Sequence, residues 1–111
     1  MAKVLVVVST SEVEKASLGI RWAAAAVRNK WVDDVEVVFF GPVEEKIAEG
    51  DERLLGPLKE LIELGKMPAA CRRVAEMGGY VNKLAERQVK VEYVGELIAK
   101  YVKEGYVPLV F

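Results

Sequence analysis

Five consecutive apolar residues, Val4-Leu5-Val6-Val7-Val8, run straight into Ser9-Thr10-Ser11 and then into a long alanine-rich helical pattern. The run is far too short to cross a bilayer, and its β-branched content suits a buried strand. The three hydroxyl residues, with Glu12 behind them, are the ordinary punctuation of a helix start. A buried strand, a short loop and a covering helix are the first half of a βαβ unit. A covered parallel sheet requires that unit to repeat along the chain.

It does. The helix expected over 13–30 carries Ala16, Ile20, Ala23, Ala24, Val27 and Trp31 on one stripe, which reads as its sheet-facing side. A strand over 35–40 ends at Gly41-Pro42. Helical pieces follow at 43–50 and 57–64, divided by Gly50-Asp51-Glu52 and by Gly56, with Pro57 in the first turn of the second piece. A short strand at 66–70 leads to Cys71, and a helix from Arg72 is broken by Gly78-Gly79 before resuming through Leu84 and Ala85. A strand at 89–94 and a helix with Leu97, Ile98, Tyr101 and Val102 on one face complete the alternation. The last strand, 106–111, contains Pro108, which cannot donate to a ladder and so marks a sheet edge.

Strands alternating with helices predict an α/β protein: a three-layer α/β/α sandwich around a five-stranded parallel, or mostly parallel, sheet with right-handed crossovers. At 111 residues, 52% of them hydrophobic, the chain is expected to form one domain over 1–111 with a genuine core. Sixteen basic residues against 17 acidic ones give a net charge of −1, so neither nucleic acid nor an anionic membrane surface is expected as a partner. A second stripe on the first helix, Leu18, Trp22 and Ala26, is apolar where a monomer would carry charge. It reads either as a contact between copies in a homo-oligomer or as a surface under a loop of the same chain.

Chemistry is bounded by two residue types. Histidine is absent, which removes Ser-His-Asp triads, Cys-His dyads and the commonest zinc ligand together. Cys71 is the single cysteine, so no internal disulfide can form, and no apolar leader opens the chain; the cytoplasm is the expected compartment. Cys71 sits at a strand-to-helix junction, where a sulfur is favoured as thiolate, with Arg72 and Arg73 beside it to offset negative charge. The alternative is a small inert thiol packed beside Ala69 and Ala70.

In an open parallel sheet the loops at the strands' carboxyl ends carry function. That puts Ser9-Thr10-Ser11, Gly41-Pro42-Val43-Glu44 and Cys71-Arg72-Arg73 on one rim. Ser9, Thr10 and Ser11 either cradle a phosphate or similar anion or simply cap the helix. The acidic residues Glu44, Glu45, Glu49, Asp51 and Glu52 read as a solvated helical face, and no metal or cofactor is expected. No Walker or dinucleotide fingerprint is present.

Taken in order, the strand, the Ser-Thr-Ser loop, the alanine-rich helix, the Phe39-Phe40-Gly41 strand end, the Cys71-x-x-x-Ala75-x-x-Gly78 turn and the terminal Glu104-Gly105-Tyr106-x-Pro108-Leu109-Val110-Phe111 resemble the DsrE/DsrF-like sulfur-relay family over essentially the whole length. The resemblance implies a small α/β/α domain that assembles into oligomers and passes persulfide sulfur through the cysteine at the loop-to-helix turn. Here that residue is Cys71, with Arg72 and Arg73 where relay members often carry small apolar residues. Two readings follow: a cytoplasmic carrier taking sulfur from a donor protein and giving it to an acceptor protein, or a non-catalytic oligomeric scaffold with a small-anion or nucleotide site at the first loop.

Overall fold

The structure, a computed structural model describing residues 1–111, is built on a five-stranded, all-parallel sheet in the order β4-β3-β2-β1-β5. Its elements are β1 (Lys3–Val8), α1 (Val13–Arg28), β2 (Asp34–Phe39), α2 (Val43–Glu49), α3 (Glu52–Glu63), β3 (Ala69–Cys71), α4 (Arg72–Gly78), α5 (Val81–Glu86), β4 (Lys90–Glu92), α6 (Val94–Lys103) and β5 (Val107–Val110). The α/β architecture read from the sequence is the one the chain adopts. β5 lies at the sheet edge as Pro108 requires, paired with β1 alone.

Alternation along the central strands divides the core between two faces. Val4, Val6 and Val8 of β1, with Val35, Val37 and Phe39 of β2, point to the side covered by α1, α2, α3 and α5, where Ile20, Ile47, Leu54, Leu58, Leu61 and Leu84 meet them. Leu5, Val7, Val38, Ala69 and Cys71 point to the other side, under Val94, Leu97, Ile98 and Tyr101 of α6. Each fully buried leucine removes enough apolar surface to favour folding by about 2 kcal/mol. The weight of the core therefore lies on the first face. No helix is long and apolar enough to cross a membrane.

Several expectations are corrected by tertiary packing. The second apolar stripe does not form one surface: Leu18 is 62% exposed, Trp22 is half-buried, and Ala26 is fully buried in the chain's own core. Residues four apart on a helix drift by about 40°, so a row begun on the solvent side reaches the core within two steps. Trp31 lies beyond the end of α1 rather than on its sheet-facing stripe. Its ring packs on Trp22, with centroids 6.4 Å apart.

Pro57 is inside α3, not at its start. The helix begins earlier because Asp51 caps it, accepting the Arg53 amide at 3.0 Å, while its carbonyl receives the Leu54 and Leu55 amides. The interior proline forfeits a bond to the Arg53 carbonyl, a cost of about 3 kcal/mol. Burial of Leu54, Pro57, Leu58 and Leu61 on one face offsets it. The third strand starts later than expected, at Ala69. Lys66 turns instead to Asp34 at 2.6 Å and to Glu36 at 3.3 Å.

Candidate functional site

Because β3, β2 and β1 are neighbours, the loops leaving their carboxyl ends stand side by side. The first two are knitted together. The Phe40 amide donates to the Val8 carbonyl at 2.9 Å, and Val43 donates to Ser9 at 3.0 Å. Between them the backbone turns at Gly41 with φ +129°, and a Cβ there would lie 2.7 Å from the Ser9 hydroxyl oxygen. Only glycine admits both that dihedral and that approach.

The Ser9-Ser11 segment is occupied by its own chain. The amides of Ser9 and Thr10 both donate to the Phe111 carbonyl, at 2.8 and 3.3 Å, and the Thr10 hydroxyl accepts the Glu12 amide at 3.0 Å. Ser11 is exposed, and the cap position of α1 is Glu12, whose side chain makes no cap bond. Two of the amides that an anion would use are already spent.

Cys71 closes β3 and stands immediately before α4 with extended φ and ψ of −66° and 118°. Its side chain joins Leu5, Val7, Val38, Ala69 and Val94, and the residue is 7% exposed. Arg72 is turned aside: one guanidinium nitrogen donates to the Val91 carbonyl at 3.2 Å and another lies 3.8 Å from the Glu76 carboxylate. An open groove runs from Arg72 past Val91, Tyr93, Glu96 and Lys100. Arg73 is exposed and forms no ion pair. The residues read as one cluster thus separate, with Cys71 inward, Arg72 along α4 and Arg73 into solvent.

Glu44 departs from the solvated face expected of the acidic residues: it is fully buried, while Glu45 and Glu49 of the same helix are exposed. Its Oε2 accepts the Gly41 amide at 3.3 Å, and its Oε1 is buried with no hydrogen-bond partner. Burial pushes the carboxyl up to about 7, against the opposing pull of the Gly41 and Cys71 amides. The phenol of Tyr80 is likewise raised, by its own burial and then by the charges of Glu44 and Glu45. A trace of this was legible in the turn. A glutamate three residues after the chain reversal at Gly41 is spaced to reach back to the turn's amide, as in a capping box.

Glu44 therefore joins the β2–α2 turn to the β3–α4 junction. One oxygen is committed and the other is orphaned beside the backbone of the only cysteine. Such a carboxyl holds or releases a proton near neutral pH, within reach of a main-chain amide whose residue bears the thiol. The side chains form no cluster that could hold a metal ion.

No family profile and no curated protein sequence matches the chain. Solved structures do resemble it. A conserved protein of unknown function from Bacteroides thetaiotaomicron, BT1422, superimposes with a TM-score of 0.88 at 18% identity, over 98% of this chain and 94% of that one. A protein of unknown function from Methanobacterium thermoautotrophicum, MTH1491, gives a TM-score of 0.71 at 20% identity, with both chains covered in full. At such identities the likeness establishes the fold and nothing of the chemistry.

Proposed function

We propose that the chain is a persulfide carrier of the DsrE-like kind, loading and unloading one sulfane sulfur on Cys71. The observation that supports this reading is the position of Cys71 at the carboxyl rim, with the buried, half-unsatisfied carboxyl of Glu44 near its backbone. A buried polar atom without a partner is costly and is retained most readily where it has work to do.

In the proposed cycle the Cys71 thiolate attacks the outer sulfur of a donor persulfide. The donor's sulfur–sulfur bond breaks as the new one forms, and the donor leaves as a thiolate. An acceptor thiolate then attacks the outer sulfur on Cys71 and regenerates the starting thiolate. One disulfide-type bond is exchanged for another at each step, with no net oxidation. Arg73, exposed and unpaired, is the cation available to meet an anionic donor.

Self-association belongs to the same reading, with Leu18 on α1 open to a neighbouring copy, and sedimentation mass tests it. The scaffold alternative, with an anion at Ser9-Ser11, has less support because Phe111 already holds two of that loop's amides. The deciding experiment treats the protein with a small-molecule persulfide donor and reads intact mass. The carrier gains one sulfur, returns it to added thiol, and gains none as Cys71→Ala; absence of any gain in the wild type overturns the reading.

A further inference from the structure

The thiol of Cys71 is enclosed by two groups of neighbours that differ in how firmly they are held. Leu5, Val7 and Val38 belong to the central strands β1 and β2, whose opposite face carries the larger core. What lies over the thiol is α6: Val94, Leu97, Ile98 and Tyr101 close the smaller cluster and leave Cys71 7% exposed. α4 adds Val74, but its one buried residue, Ala75, packs into the larger cluster and holds that helix to the other face. We propose that α6 is a lid on Cys71, and that reagents reach the thiol when the amino-terminal half of this helix lifts from the sheet while the larger core stays folded.

The two ends of α6 are held unequally. At the carboxyl end the Tyr101 ring meets Tyr106 edge-on, with centroids 4.9 Å apart, and the Tyr106 amide donates to the Tyr101 carbonyl at 3.0 Å. That end is fastened to the approach to β5. At the amino end the cap residue, Tyr93, supplies no side-chain cap bond and is 61% exposed, and Gly95 stands in the first turn, where glycine favours the unfolded chain. Val94 is the only buried residue of the helix, and Glu96, Lys100 and Lys103 form no ion pair. The β3–β4 register pairs Cys71 with Glu92, two residues before Val94, so the weakly held end of the helix is the end beside the thiol. Fraying from there withdraws Val94 first, then Leu97 and Ile98.

The lid deepens the carrier reading and rests on it for its biological meaning. Both exchange steps bring a second sulfur into contact with the sulfur on Cys71, which the closed helix covers. Donor and acceptor therefore use the same open state, and the closed state shields a loaded sulfur from stray thiols. The opening itself is a separate physical claim, measurable without any sulfur transfer.

The test measures the rate at which native Cys71 reacts with dithiodipyridine, at one pH and without denaturant, in the wild type and three variants. A Cβ at Gly95 meets nothing within 4 Å and its φ is not positive, so Gly95→Ala strengthens α6. It should slow the reaction roughly two- to fivefold. Ile98→Ala loosens α6 from the sheet and should speed it by about tenfold or more. Ile62→Ala, which trims α3 where it packs on the larger cluster, should lower the denaturation midpoint and leave the rate unchanged. A rate that tracks global stability through all three variants, or that ignores Gly95→Ala, overturns the proposal. Should Ile98→Ala fold poorly, Gly95→Ala decides with hydrogen exchange. The Leu97 and Ile98 amides must open more often than those of Val6 and Val37, and must slow in Gly95→Ala by the same factor as the thiol; equal protection of helix and sheet overturns the proposal. No sulfur donor enters these readouts, so failure of the carrier reading and failure of the lid are told apart.

Discussion

The phenol of Tyr106 donates to the carboxylate of Asp34, joining the approach to β5 to the start of β2 across the amino end of β1. Lys66 donates to the same carboxylate, and the Lys3 ammonium stands 4.8 Å above the Tyr106 ring. Burial alone would raise the Asp34 carboxyl, but the bonds from Lys66 and Tyr106 and the Lys66 charge outweigh it and hold the group below its usual range. The bond to Asp34 correspondingly raises Tyr106, while burial and then the Glu36 carboxylate push Tyr101 up to about 12. A carboxyl lowered by folding stabilises the native state above its unfolded pKa, and that stabilisation is lost as pH falls through the folded value. Urea midpoints between pH 2 and 6 should therefore fall less steeply on the acid side for Asp34→Asn than for the wild type. Tyr106→Phe should cost about 1 kcal/mol at neutral pH.

Glu44 has the opposite slope. Its carboxyl is raised from 4.5 to about 7, so the native state binds the proton more tightly, and stability declines as pH rises through that window before levelling off. At ~1.4 kcal/mol per unit the full decline is about 3 kcal/mol. In Glu44→Gln that contribution is absent, and the variant's stability relative to the wild type should improve steadily from pH 5 to 7. Guanidinium titrations at three pH values check this; parallel profiles would count against the burial of an ionisable Glu44.

How far the sequence disclosed all this depends on the range of the forces involved. Strand identity and the edge position of β5 were readable because periodicity and the missing amide of Pro108 are local properties. Pro57 misled because a capping aspartate six residues earlier and a buried leucine face outweigh a rule about proline taken alone. Glu44 was misread for a different reason. Its helix is short, and which side of it meets β3 and α4 is decided by tertiary contact rather than by any pattern within 43–49. Of the rim, the cysteine and the glycine turn were legible, whereas the carboxylate that links them was not.

Gly41 carries a separate expectation. At φ +129°, with the Ser9 hydroxyl oxygen 2.7 Å from where a methyl would project, Gly41→Ala is both strained and crowded. Thermal denaturation should show a loss of roughly 1–3 kcal/mol. The loss should shrink when Ser9 is also changed to glycine, because the contact vanishes while the dihedral strain remains.

For Cys71, burial forecasts restraint. The native thiol should react with a neutral alkylating agent roughly tenfold or more slowly than in urea, because reaction waits on local opening. Cys71→Ala is the proper sulfur-free control. Cys71→Ser would bring a hydroxyl among Leu5, Val7, Val38 and Val94 and should be less stable by about 1–2 kcal/mol, which paired melting curves would register.

The unequal division of the core has a kinetic meaning. The face under α1 and α3 gathers 21 buried apolar residues, and the face under α6 only 6, with β3 and β4 each three residues long. Local opening of α6 is therefore less costly than opening of α1 or α3. Cys71 belongs to the smaller cluster beneath α6, so the chain's one nucleophile meets solvent when α6 lifts.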